Sequence, residues 1–319
     1  MKIKYNARAC SVLYNVLKAN GVNGKVLIPA NICESVPATY MLLGIEPVFC
    51  DISIVDYQLD KDTAMKMLGD LQISVLHYNH TYGFKSVDDD LFLEKVKKKY
   101  PRVLIVDDRC LCFPEIDYEG EASDIVLYST GYVKCVDIGW GGFCIINKNL
   151  DYQEYVLEFS EANLVEFDRH IKECHSENLP INKEIILSNW LEITNGLRKD
   201  YFDTIKKVAI KSREHKKMLN EIYSNIQGSL PLDYCSWRYQ LLLENAQECI
   251  KALFDNGLFC SNHYKSLGNG YFDDVYTPNA VYLESHIVNL FNDFRFSCEQ
   301  AIRTTEILKQ IAIPIERMP

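Results

Sequence analysis

Short apolar runs, each bounded by a turn or a helix-forming stretch, limit most strongly what this chain can fold into. They lie at residues 25–28 (KVLI), 47–52 (PVFCDI), 73–78 (ISVLHY), 102–107 (RVLIVD), 124–129 (DIVLYS) and 142–146 (GFCII). Helix-forming stretches separate the earlier runs, at 9–19, about 34–43, 60–69 and 89–99. Cys10, Leu13, Tyr14 and Leu17 recur at helical spacing in the first, and Gly44 is a natural C-cap for the second. Continuous apolar strands alternating with helices predict an α/β fold, a mostly parallel sheet flanked by helices on both faces. Ligands of such sheets sit at the carboxyl ends of the strands. Asp107, Asp108 and Ser129 fall at such ends.

The second half changes character. From about 184 to 226 the chain is rich in helix formers and charge and has no proline. A short strand at 236–243, a helix at 246–256 and a last helix from about 284 to 310 are expected next. This predicts a smaller α+β C-terminal domain hinged on a long helix, with a large domain over 1–205 and a small one over 206–319.

A net charge of −10 over 319 residues argues against a general nucleic-acid or anionic-membrane surface. The N-terminal stretch lacks the apolar core of a signal peptide, and no run is long enough to span a membrane, so the chain reads as cytoplasmic. Its twelve cysteines are then expected as reduced thiols, several inside apolar runs. No Cys-x-x-Cys occurs, and no metal site is expected. His170, Cys174 and His175 have ligand-like spacing, but their polar surroundings predict a solvated helix.

The chemistry concentrates in Ser129-Thr-Gly-Tyr-Val-Lys134-Cys-Val-Asp-Ile-Gly139-Trp-Gly141-Gly142. A lone loop lysine is ordinarily a solvated charge. Here a strand-end serine precedes it and three glycines follow, which allow close backbone approach beside a bulky ligand. A desolvated lysine near other positive charge loses its proton more readily and becomes a nucleophile. A carboxylate at the buried strand end, Asp107 or Asp108, needs a cation or serves to order the loop. The helix that opens after Tyr5-Asn6-Ala7-Arg8 offers free amides to an anion.

In this order the pieces resemble the DegT/DnrJ-type sugar aminotransferases, enzymes of pyridoxal phosphate (PLP) fold type I. The resemblance runs through Asn6-Ala7-Arg8-Ala9, Ile28-Pro29-Ala30, Pro47-Val48-Phe49-Cys50-Asp51, His80-Thr81-Tyr82-Gly83, Asp107-Asp108 and the Ser129–Gly142 block, which is its most specific part. It implies that Lys134 is the Schiff-base lysine and that Asp108 pairs with the ring nitrogen. Ser129 and the amides of Ala7 and Arg8 would bind the phosphate, and His80 and Tyr82 would line the substrate pocket, although His80 also reads as a satisfied core histidine. It further implies a keto-sugar substrate, nucleotide-linked, an amino-acid donor such as glutamate, and a homodimer. Cys33 stands where an aromatic ring usually stacks on the cofactor, and Leu111 where a Gln or His usually meets the ring hydroxyl. Asn182 is the candidate for the phosphate-binding asparagine given by a partner subunit. The first motif begins at residue 6, without the arm that usually precedes it. Two other readings stay open: a PLP-dependent sugar dehydratase, whose relatives carry histidine in place of the lysine, and a non-catalytic relative.

Overall fold

The computed structural model describes residues 2–118, 122–194 and 198–315. The large sheet contains β1 (Lys2–Asn6), β2 (Lys25–Pro29), β3 (Glu46–Cys50), β4 (Ile73–Asn79), β5 (Leu104–Asp108), β6 (Ile125–Ser129) and β7 (Gly142–Ile146). Helices α1 (Ala9–Ala19), α2 (Ser35–Leu42), α3 (Lys61–Asp70) and α4 (Val87–Lys99) connect them. The spatial order is β1-β7-β6-β5-β4-β2-β3. Strands β2 to β6 run parallel, and β7 is antiparallel to both β6 and β1.

Successive residues in the middle strands are buried whichever way they point: Val26, Leu27 and Ile28, Val75 and Leu76, Ile105 and Val106, Val126 and Leu127. Burial on both faces is why these strands read as unbroken apolar runs rather than alternating ones. Helix α1 lays Val12, Leu13, Val16 and Leu17 into this core. The helix ends are written locally. At α4, Ser86 and Asp89 form a capping box, three aspartates occupy the first turn and three lysines the last, each sign opposing the helix dipole.

Then come α5 (Glu161–Glu177), the short α6 (Lys183–Ile186) and the long α7 (Tyr201–Tyr223). Beyond α7, β8 (Tyr239–Leu242), α8 (Ala246–Asp255), β9 (Cys260–Ser261), α9 (Pro278–His286), β10 (Ile287–Leu290) and α10 (Cys298–Ile311) build a three-stranded antiparallel sheet with its own core. The division expected at 205/206 falls inside α7.

Two elements differ from expectation. Strand β1 is additional: charged Lys2 and Lys4 hide it, yet it pairs residue by residue with β7. The single helix expected from about 284 to 310 is instead the end of α9, β10 and α10. Ile287-Val288-Asn289-Leu290 is the central strand of the small sheet, where pairing with β8 and β9 overrides local helix propensity.

Gly142 shows how tightly α1 rides on the sheet, since a Cβ there would overlap the backbone of Ala9. Gly142→Ala is expected to destabilise the protein by about 1–3 kcal/mol through this overpacking, seen as a lower urea midpoint. Gly131→Ala, whose Cβ would stand 3.8 Å from Ser129 Oγ, should change it far less.

Candidate active site

The two carboxylates at the end of β5 point opposite ways, as neighbours on a strand must. Asp107 takes Nε2 of His80 at 2.8 Å and Nε and Nη2 of Arg109 at 2.9 and 2.8 Å. Arg109 also lies 3.7 Å over the Tyr118 ring. Burial alone would raise the Asp107 carboxyl; His80 and Arg109 outweigh it and hold it down at about 2.

Asp108 faces the other side. Its Oδ1 accepts the Cys110 N–H at 2.8 Å, and Oδ2 meets His77 Nε2 at 3.0 Å. The far nitrogen of His77 lies 3.0 Å from the Tyr40 hydroxyl, so three buried side chains form one line. Burial raises the Asp108 carboxyl, and the bonds from His77 and Cys110 bring it below its ordinary value.

Lys134 sits half-buried in the turn after β6. Its position shows in its neighbours. The Cys110 thiol is pushed well up by burial and then by Asp108, and drawn back by Lys134. Cys33, 3.1 Å from Ser35 Oγ, is pushed up to about 11 by burial and Glu34 and is likewise drawn back by Lys134. The turn itself is held firmly. Asp137 accepts the N–H groups of Val133 at 2.6 Å and Gly139 at 2.8 Å, and pairs with Arg295 from the small domain. Trp237 Nε1 donates to the Val133 carbonyl at 2.7 Å.

Ser129, Gly142 and Asn6 stand side by side across β6, β7 and β1. Asn6 Oδ1 accepts the Ala7 N–H at 2.8 Å, and the Ala7 carbonyl accepts from Gly141 at 2.8 Å. Arg8 is the extended residue before α1, which begins with no side-chain cap and no acid in its first turn. Ser129 and this open helix end therefore lie together.

The remaining expected residues are placed as follows. His80 has both ring nitrogens engaged, one by Asp107 and the other 3.1 Å from the Phe84 carbonyl. Tyr82, with φ at 57°, donates its hydroxyl to the His263 carbonyl at 2.8 Å. Asn182 is exposed and caps α6 through the Glu184 N–H. His170 accepts the Asn182 N–H, His175 bonds Glu34, and no metal-binding group occurs among the described residues.

Sequence reasoning missed His77 and the wall that the small domain contributes. In that wall the Trp237 ring lies nearly parallel to Tyr264 and Tyr82, at 5.9 and 6.4 Å between centroids. Burial holds the Tyr264 hydroxyl well above its ordinary value. The sequence signal for this wall is slight, because Trp237-Arg238 and His263-Tyr264 lie far from Lys134 along the chain.

No family model matches the chain, and no curated protein sequence matches it. Solved structures do. A protein from Streptococcus pneumoniae assigned as a sugar aminotransferase and seen in its PLP form superposes with a TM-score of 0.68 at 18% identity, over 97% of this chain and 86% of that one. A DegT DnrJ EryC1 StrS aminotransferase from Brucella abortus gives 0.66 at 14% identity, over 97% and 86%. The sugar aminotransferase CalS13 from Micromonospora echinospora gives 0.67 at 14%, over 97% and 87%. The chain shares their fold. The mostly parallel sheet and the smaller antiparallel one are those of PLP fold type I.

Because Asp107 titrates below its unfolded value of about 4, it stabilises the fold above that pH, and the contribution is lost as pH falls toward 2. Asp107→Asn leaves the buried Arg109 only Glu115 and Asp90 as counter-charges, at 3.4 and 3.9 Å, and is expected to cost about 3 kcal/mol at neutral pH. Urea midpoints between pH 2 and 7 should fall steeply below pH 4 in the wild type and more gently in the variant.

Proposed function

We propose that this chain is a PLP-dependent aminotransferase that moves an amino group from an amino acid, glutamate as the preferred donor, to a nucleotide-linked keto-sugar. One arrangement carries the reading. Lys134 and Asp108 act with opposite sign on the same half-buried thiol, Cys110, while Ser129 and the open end of α1 meet beside Gly142.

The donor set fits the cofactor. Amides and a hydroxyl suit a doubly charged phosphate, a buried carboxylate suits a ring nitrogen, and an amine suits an aldehyde. Bound there, PLP supplies an electron sink for charge left on the substrate carbon.

Each residue then has a definite task. Asp108, its carboxylate fixed by the Cys110 N–H and His77, keeps a proton on the ring nitrogen. Lys134 would hold the cofactor, and as a free amine it would take a proton from the substrate carbon and return it one position away. Cys33 offers a soft contact to the ring face. Tyr82 from the large domain and Trp237 from the small one, their rings nearly parallel, would close the pocket and exclude water. A lysine at 134, where the dehydratases of this fold have histidine, favours amino transfer over dehydration.

Borohydride reduction of the purified protein followed by peptide mapping should find the pyridoxyl adduct on Lys134. An adduct on Lys85, Lys211 or another lysine would sink the assignment. Lys134→Ala is expected to abolish turnover while keeping much of the cofactor affinity. Asp108→Asn should slow proton transfer by about 100-fold or more, whereas Asp107→Asn should act mainly on stability. A crippled Asp107→Asn enzyme beside a mild Asp108→Asn would reverse the two roles.

The same reading includes a homodimer with a shared site, in which Asn182 of one subunit reaches the phosphate in the other. Its support is the sparse positive charge around the proposed phosphate position, together with exposed Val156, Val165 and Leu187 in the stretch of chain that carries Asn182. Sedimentation at micromolar concentration should give twice the 36.8 kDa chain mass. A monomer that binds PLP tightly would refute the shared site.

A further inference from the structure

Helix α7 and the turn at Leu232–Cys235 enclose a second cleft, of about 380 Å³, against Phe113 of the large domain. Arg213, Lys216 and Lys217 line it from one face of the helix, three and four residues apart. Among the described residues none of these three cations forms an ion pair. Glu221, one turn further on, is the one acid in the lining, so the cleft keeps an excess of two positive charges. None of the residues proposed to hold the cofactor lines it.

Lys216 is 3% exposed, and its amine donates to two neutral oxygens, the Trp237 carbonyl and Asn292 Oδ1, both at 2.6 Å. Burial draws this ammonium below the usual lysine value. An ammonium has three N–H donors, so one is left for a ligand in the cleft. Arg213 lies 4.5 Å over the Phe113 ring, which leaves the edge of its guanidinium open. Leu232, exposed, gives the lining an apolar side.

The back of the cleft supports the lysine turn. Lys216 holds the Trp237 carbonyl, and Trp237 Nε1 holds the Val133 carbonyl at 2.7 Å. One turn earlier on α7, Ser212 Oγ donates to the Cys135 carbonyl at 2.6 Å. The residues on both sides of Lys134 are thus tied to the elements that form the cleft. Burial pushes the Cys135 thiol up to about 11, and Lys216, Lys134 and Arg213 draw it back. That thiol stands between the catalytic lysine and the cations of the cleft.

We propose that this cleft binds a phosphomonoester, and that the bound anion tightens the turn that carries Lys134. The charges match, because such a group carries close to two negative charges at neutral pH, the excess that the cleft holds. Its oxygens accept from a guanidinium edge and from an ammonium, while its organic part lies along Leu232 and Phe113. The anion keeps Lys216 charged despite its burial, which strengthens the bond to the Trp237 carbonyl and steadies the chain of contacts to Val133. A sugar phosphate and a nucleoside monophosphate both present this group. The site stands whether or not the chain transfers amino groups.

Glucose 1-phosphate and UMP are titrated by calorimetry into the protein as purified, in phosphate-free buffer. Wild type is compared with Arg213→Gln, Lys217→Gln and Ser129→Ala. Arg213 and Lys217 are exposed, so their variants are expected to fold. Each should weaken the tighter ester about 10-fold, whereas Ser129→Ala should leave it unchanged. Whichever ester binds more tightly identifies the source of the phosphate. Hydrogen exchange in the peptide that spans Val133 to Cys135 should slow when that ester is added to wild type. It should stay unchanged in the double variant Arg213→Gln/Lys217→Gln. Absence of binding to wild type at millimolar concentration, affinity within twofold of wild type in both charge variants, or a loss confined to Ser129→Ala overturns the site. Binding that leaves exchange in that peptide unchanged overturns the link to Lys134.

Discussion

Two carboxylates adjacent in sequence end β5 on opposite faces of the sheet, and both are out of water. Neither could stay charged there alone. Asp107 is neutralised by Arg109 and His80, and Asp108 is held by His77 and the Cys110 amide. The strand's two-residue period therefore separates a structural ion cluster from a site facing the Lys134 turn. The apolar run that buries β5 also forces these groups to find partners, so the site's electrostatics follow from the core's packing.

The large domain was legible because burial on both faces leaves its strands no polar alternation to confuse with loops, and capping signals such as Ser86 with Asp89 mark the helices between. Strand β1 was not, since an edge strand with one antiparallel partner tolerates Lys2 and Lys4. Strand β10 follows α9 with no glycine or proline between them, so only its long-range pairing identifies it. The candidate site divides the same way. Lys134, Ser129 and the glycines stand in one contiguous block, and Asp108 follows a recognisable strand. His77, Trp237, Arg238 and His263 become neighbours of that block only through folding, and no local spacing announces them.

The small domain's polar interior is unusually connected. Asn289 on the central strand β10 donates to Gln240 on β8 and accepts from the His263 amide and the Ser261 hydroxyl. A short sheet of three strands gains a fixed register from such a network, because a slip by one residue would leave several buried groups unpaired. The domain that supplies the pocket's far wall is in this way keyed to one alignment.

Val133 adopts a left-handed backbone with φ at 55°, an uncomfortable state for a β-branched residue. Asp137 grips its amide, Trp237 its carbonyl, and Arg295 secures Asp137. Two of these three restraints come from beyond α7. The turn that aims Lys134 is therefore a spring held under tension by the opposite domain, and any loosening of that domain's seat lets it uncoil. The shape of the Lys134 turn is a property of the assembled molecule, and the sheet that carries the turn does not possess it alone.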